Sequence, residues 1–448
     1  MSSKKVIKGA TIFNEGKSFV GDIFIKGEFI EDICENTDSD YSGYQVINAG
    51  GLYLFPGIID DQVHFREPGL SYKGDIYSES KAAVAGGVTS YMEMPNTDPP
   101  ALTIDILEDK YKIAAESSLA NYSFYMGASN HNLDEILKID RNKVCGIKVF
   151  MGSSTGNLLV DDQQALENIF KHAPTIVATH CEDDRIIQEN SRKLLKQYGL
   201  DAPTRIHTEV RSAEACYLSS SKAVKLAKKH GTRLHILHLS TAGETELFSN
   251  DIPLEEKKIT AEVCVHHLWF SDEDYETKGN FIKWNPSIKT RTDREALRNA
   301  LKNNTIDVIA TDHAPHSEEE KKRPYFRAPS GGPLVQHSLT AMLQLAKHGV
   351  FGIEKVIEKM CHDPARLFKV DRRGFIRKDY FADLVLVDMD NKWTVGKNNI
   401  EYKCKWSPFE GDSFDSKIEK TFVNGNIVFD NGVFNEEKKG KRLMFNHK

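Results

Sequence analysis

Residues 52–94 read LYLFPGIIDDQVHFREPGLSYKGDIYSESKAAVAGGVTSYMEM. An apolar run ends in a polar cluster, a helical segment follows near IYSESKAAVA, Gly86-Gly87 stops it, and a second apolar run starts at Val88. The unit recurs. NYSFYMG (121–127), VCGIKVFMG (144–152), TIVATHCE (175–182), RLHILHLS (233–240), KITAEVCV (258–265) and IDVIATDH (306–313) are further strand candidates, with helical stretches between most of them. With the first two they make eight, which predicts an α/β fold of the (β/α)8 barrel type. A doubly wound sheet is the rival architecture, but no glycine-rich phosphate loop follows the first strand.

Both flanks read differently. VIKGATIF, DIFIKGEFIEDI and YQVINA near the start are short strands separated by glycine-containing turns. ADLVLVDMD near the end is a buried strand, and KTFVNGNIVFDNGVF is a hairpin around Asn424-Gly425, a pair that accepts positive φ. Neither flank is long enough to bury a sheet alone. The two are therefore expected to combine into one small β-sandwich, with parts at 1–54 and 379–448 and the barrel over 55–378.

The composition narrows the function. A chain of 448 residues with 40% hydrophobic content has material for a large core. A formal net charge of −6 gives no footing for nucleic acid or an anionic membrane. The N-terminal stretch MSSKKVIKGATIF lacks a signal-like apolar run, and no segment reaches the roughly 20 apolar residues of a membrane span. The seven cysteines are scattered and form no CxxC, which predicts reduced thiols and a cytoplasmic location.

In a barrel of this type the working residues sit at the C-terminal ends of the strands. The first strand ends in Asp60-Asp61-Gln62-Val63-His64-Phe65-Arg66, the fourth carries Lys148, the fifth ends in His180, the sixth in His238, and the eighth in Asp312. Each alone has an ordinary explanation: a hydrogen-bonded histidine, a rim lysine, an aspartate N-cap. Together, His64, Lys148, His180, His238 and Asp312 at converging strand tips predict a metal site. His266 and His267, expected to end the seventh strand, read as supporting residues. His207 has no assigned role.

At these residues the chain resembles the amidohydrolase superfamily, and within it the cyclic amidohydrolases. PGIIDDQVHFREPG (56–69) is similar to the family's first-strand motif, EMPNTDPP (93–100) to its second-strand loop, and GIKVFMG to the lysine strand of hydantoinases. THCEDD, HLSTAG, EVCVHHLWFSDED, NPSIKTRTDREAL and ATDHAPH follow in the family's order, and KWSPFEG with FVNGNIVFDNG resembles the tail of dihydroorotases. The resemblance implies zinc, one or two ions, and reversible ring closure between N-carbamoyl-aspartate and dihydroorotate. It also implies substrate-binding roles for Arg66, Asn96, Asn285 and His316, and a base role for Asp312. An arginine suits the substrate carboxylate. The ordinary alternatives are an Arg66–Glu67 pair and a turn role for Asn96.

Two positions depart from the pattern. Gln62 stands where the first histidine of the His-x-His motif is expected, and an amide oxygen is a poorer zinc ligand than imidazole. Ser153-Ser154-Thr155-Gly156 occupies a loop that in many bacterial dihydroorotases carries paired aspartates. The resemblance supplies a substitute in a carboxylated Lys148. Rival readings are a hydantoinase or allantoinase, and a silent relative that supports aspartate transcarbamoylase. The Met151–Leu158 segment reads as a lid or as an ordinary loop. A symmetric homodimer is the default assembly.

Overall fold

The computed structural model describes residues 4–35, 39–152 and 158–447. Eight parallel strands build the barrel: β1 (Ile58–Val63), β2 (Val88–Glu93), β3 (Asn121–Phe124, resuming at Met126–Gly127), β4 (Ile147–Phe150), β5 (Val177–His180), β6 (Leu234–Ile236), β7 (Ile259–Cys264) and β8 (Val308–Ala310). Each pairs in parallel with the next. The ring closes between β8 and β1 by a parallel bridge from Val63 to His313. Asp60 fastens this seam, accepting from the Thr311 backbone N–H at 3.2 Å and from its hydroxyl at 2.6 Å.

Local chemistry sets the element ends. The helix Ile76–Ala85 starts at Asp75, whose carboxylate accepts the Ser78 N–H at 2.7 Å, and it ends at Gly86. Gly87, at φ 83°, then turns the chain into β2. Phe368 lies edge-on to Tyr125 and to His235, with ring centroids 6.4 and 5.8 Å apart, and so packs against the inward-facing side chains of the barrel.

The chain ends join in one nine-stranded sheet. Strand Lys4–Asn14 pairs antiparallel with Lys17–Lys26 and, in parallel, with Tyr53–Pro56. Tyr53–Pro56 in turn pairs antiparallel with Leu384–Asp388. Ile12, Ile23, Leu54, Leu384 and Phe422 meet in a core separate from that of the barrel, so the two flanks form the expected sandwich part. Its hairpin turns at Asn424 and Gly425, with φ 49° and 71°, as the Asn-Gly pair predicts.

One element differs from expectation. The chain leaves β7 at Cys264, and residues Val265–Trp269 form a helical turn, so His266 and His267 sit beyond the strand. The His266 ring stacks on Trp284, with centroids 4.4 Å apart and planes 13° apart. The seven cysteines are unpaired. Among the described residues no helix is long and apolar enough to cross a membrane. Residues 153–157 of the Met151–Leu158 segment, and with them most of the expected lid, lie outside the described residues.

Asp383 fastens sheet to barrel. Its buried carboxylate pairs with buried Arg373, accepts from Asn121 Nδ2 at 3.1 Å and accepts from the Asn424 N–H at 2.7 Å. Asp383→Ala leaves the guanidinium buried without its counter-ion and is expected to cost about 3–5 kcal/mol. The check is a drop in the urea midpoint at unchanged slope.

Candidate active site

The strand tips line a cavity of about 320 Å³ at the C-terminal mouth of the barrel. His64, Arg66, Asn96, Lys148, His180, His238, Asn285, Asp312 and His316 all face it, so the residues singled out in the sequence are brought together. Arg66, His238 and Asp312 hold positive φ angles of 72°, 40° and 48°. Each marks the point where the chain leaves its strand, and such angles are uncommon for residues with a Cβ.

The histidines share one arrangement. His64 donates its Nδ1–H to Asn96 Oδ1 at 2.7 Å, and its Nε2 lies 3.1 Å from Asp312 Oδ1. His180 donates its Nε2–H to Glu182 Oε2 at 2.9 Å, and its Nδ1 lies 3.0 Å from His238 Nε2. Burial holds the basicity of all three rings below the ordinary value, against the pull of Asp312 on His64 and of Glu182 on His180, and neighbouring His180 adds to the effect on His238. The rings are therefore neutral. An outer partner fixes one nitrogen of His64 and of His180, and the other carries a lone pair aimed at a second Lewis base. That is how metal-binding imidazoles are oriented.

Lys148 completes the set. It is 1% exposed, its Nζ makes no hydrogen bond among the described residues, and it lies 4.7 Å from the Phe150 ring centroid. Burial lowers its pKa to about 8, against the attraction of Asp312 and Glu262. Three neutral imidazoles, one carboxylate and one free amine suit a divalent ion with mixed nitrogen and oxygen preference. Gln62 also lines the cavity, but it donates its Nε2–H to Asp312 Oδ1 at 3.1 Å and so acts here as a hydrogen-bond donor.

The opposite wall is cationic. Arg66 Nε donates to the Pro315 carbonyl at 3.0 Å, and its guanidinium lies 3.0 Å from His316 Nε2. Lys73 Nζ lies 3.0 Å from His316 Nδ1, and the Ser330 carbonyl lies 3.0 Å from His316 Nε2. Glu67 instead accepts the Ile76 N–H at 2.9 Å and does not neutralise Arg66. Asn96 holds His64 and is more than a turn residue. Asn285 Oδ1 is buried with no hydrogen-bond partner among the described residues.

Several contributors escaped the sequence reading. Glu182, two residues past His180, forms a buried ion pair with Arg211 and was visible only as an acid near a strand tip. Lys73 and Ser330 carry no local signal. His207 lies outside the cavity lining, its Nδ1 2.8 Å from the Tyr325 hydroxyl and its Nε2 2.6 Å from the Trp284 carbonyl. Cys264, His266 and His267 also offer donor atoms within 4.8 Å of one another. His267 Nε2 donates to the Pro286 carbonyl at 3.2 Å.

A closed barrel with a metal-donor set at its C-terminal mouth defines a class of barrel hydrolase. Residues 53–428 match the model of the amidohydrolase family. The chain is 33% identical over 430 residues to a dihydroorotase of Halobacterium salinarum, covering 95% of this chain and 96% of that protein. It is 34% identical over 401 residues to a dihydroorotase of Methanosarcina mazei, covering 87% and 86%. Among solved structures it is similar to the L-hydantoinase of Arthrobacter aurescens, with a TM-score of 0.92 at 25% identity over 99% of this chain and 100% of that one. The chain belongs to the amidohydrolase family.

Burial pushes the Glu182 carboxyl up, but Arg211 and His180 outweigh it and bring it down to about 2. A lowered carboxyl pKa stabilises the fold above the unfolded-state value and loses that contribution as pH falls toward the folded one, here ~3 kcal/mol in full. Glu182→Gln is therefore expected to be less stable than the parent at pH 6. The gap between the two urea midpoints should narrow by more than half between pH 6 and pH 3.

Proposed function

We propose that the chain is a dihydroorotase, converting dihydroorotate and water reversibly to N-carbamoyl-aspartate. The observation that carries this reading is a cationic wall of Arg66 and Lys73 facing a metal-donor set across one small cavity. The full-length similarity to dihydroorotases supports it. A carboxylate-bearing ring places its anion on Arg66, whose fork suits a carboxylate, and presents its amide carbonyl to the donors.

We assign His64, Lys148, His180, His238 and Asp312 as the residues that would hold zinc, one or two ions. Bound there, the metal lowers the pKa of a water and polarises an amide carbonyl. Asp312 accepts the proton from the attacking water and delivers it to the ring nitrogen as the carbon–nitrogen bond breaks. Arg66, Asn96 and His316 hold the substrate carboxylate, and Asn285, with its unpartnered Oδ1, receives a ring N–H. A symmetric homodimer in the cytoplasm is the assembly and location proposed, with the barrel at 55–378 as the catalytic unit.

Lys148 would act as its carbamate, formed when the neutral amine adds to carbon dioxide and releases a proton. With the pKa at about 8, the neutral fraction rises as pH passes through that value. Protein equilibrated with ¹³C-bicarbonate should show a carbamate resonance that strengthens from pH 7 to 9 and is missing in Lys148→Ala. Full activity with an unmodified Lys148 mass would remove the idea.

The fold likeness to an L-hydantoinase favours a second reading, in which the ring lacks the carboxylate. Purified protein assayed with dihydroorotate, hydantoin and allantoin separates the two: turnover of dihydroorotate well above the others is expected. Asp312→Ala should lose at least ~100-fold in kcat, as removal of a general base does. Arg66→Lys should raise KM more than it lowers kcat. Preference for hydantoin, or no turnover in zinc-loaded protein, sinks the proposal.

A further inference from the structure

Inside the barrel, one side-chain layer toward the N-terminal ends of the strands, three more metal-ligating groups meet. Asp61 comes from β1, His235 from β6 and Glu262 from β7, and all three are 0% exposed. Their donor atoms lie within 4.8 Å of one another. His235 Nε2 is 3.3 Å from Asp61 Oδ2 and 3.7 Å from Glu262 Oε2. Below them, Phe368 packs its ring edge against His235, at 5.8 Å between centroids.

Proximity alone is common among buried ion pairs. The hydrogen bonds decide more. Thr260 donates its hydroxyl proton to the Leu234 carbonyl at 3.2 Å, so its oxygen accepts the His235 Nδ1–H at 2.9 Å. That fixes Nε2 as the nitrogen aimed at the carboxylates. Glu262 Oε1 accepts the His238 backbone N–H at 2.9 Å and the Cys264 thiol at 3.4 Å, which leaves Oε2 over. Both oxygens of Asp61, Oε2 of Glu262 and Nε2 of His235 are buried with no hydrogen-bond partner among the described residues.

Against the effect of burial, the two facing carboxylates raise the basicity of His235 to about 9, so without a cation a proton on Nε2 stands between them. One proton on Nε2 serves one of the facing oxygens and leaves the others unmet. A divalent cation meets all of them and cancels the two negative charges. Tetrahedral zinc with bonds of about 2.0–2.2 Å sets its ligand atoms roughly 3.4 Å apart, close to the spacing found. The outer hydrogen bond from His235 to Thr260 is the kind that orients a ligating imidazole.

We propose that Asp61, His235 and Glu262 form a second divalent-cation site, for zinc or an ion of like preference, distinct from the donor set at the mouth. The ion sits out of reach of substrate. Through Glu262, whose other oxygen holds the His238 backbone at φ 40°, it fixes the strand tip that carries His238. The three residues are positioning residues, and the proposal does not rest on the dihydroorotase reading.

Crystals of the full chain grown with zinc test this by anomalous scattering at the zinc edge. The expected result is a peak bonded to His235 Nε2 and to one oxygen each of Asp61 and Glu262, apart from any peak among Lys148, His180 and His238. Elemental analysis of Asp61→Asn should then show one zinc fewer per chain than the parent. No anomalous peak between the three residues, whether or not the mouth is loaded, overturns the proposal, as does an unchanged zinc count in Asp61→Asn. A deep peak with an empty mouth sinks the metal reading of the mouth and leaves this one standing.

Discussion

The site depends on closure of the barrel between its first and last strands. Gln62 and His64 lie some 250 residues from Asp312 in sequence, and only the β1–β8 seam brings them within 3.1 Å of it. Asp60 holds that seam from inside, with both carboxylate oxygens engaged by Thr311. Because all eight strands run parallel, every strand tip faces the same mouth once the ring is shut. The five metal-donor residues, from five separate βα units, then share one cavity with no further device. Strand polarity and closure place the donors, and the loops only finish the geometry.

Within that frame, the common physical theme is the neutral histidine with one nitrogen committed. Asn96 commits His64 and Glu182 commits His180. Burial keeps the rings uncharged, so each turns a lone pair toward the cavity without competing for a proton. Gln62 breaks the symmetry. Where an imidazole would offer a lone pair, its amide offers a donor, and Asp312 takes it. A hydrogen bond to a charged carboxylate contributes about 1.5–3 kcal/mol, which an ion approaching that oxygen must overcome or share. The β5–β6 side, with two imidazoles and Lys148, is consequently the stronger half of the donor set.

The parts legible in sequence are those with a local cause. Strand ends show as apolar runs stopping at polar residues, which is why His180, His238 and Asp312 could be placed at tips before any contact was known. The Asn424-Gly425 turn was legible because few other pairs accept two positive φ angles. What stayed hidden is non-local. Nothing near Asp61 announces His235 or Glu262, since the three come from three strands and meet only across the barrel interior. The Glu182–Arg211 pair closes across the helix Asp184–Tyr198, and the Asp383–Arg373 pair across a loop of no fixed pattern. The KITAEVCV stretch predicts a strand that His266 and His267 end, while the ring stack of His266 on Trp284, a tertiary contact, accompanies the turn of the chain into a helix.

A backbone shared with an L-hydantoinase at a TM-score of 0.92 means that the barrel itself does not choose the ring it opens. The choice has to lie in side chains that the backbone tolerates in many forms, and the Arg66–Lys73–His316 wall is such a set. Glu320 tempers it, lying 3.7 Å from His316 Nδ1 and 3.3 Å from Lys73, which together hold its carboxyl well down. One carboxylate against two cations still leaves an excess of one positive charge. A ring bearing its own carboxylate completes that balance and gains a charge-assisted bond of about 1.5–3 kcal/mol, roughly 10- to 150-fold in affinity. A neutral ring leaves the same cation desolvated and unmatched. On the proposed reading, discrimination between the two substrate classes would reside in this wall, across the cavity from the proposed metal-donor set.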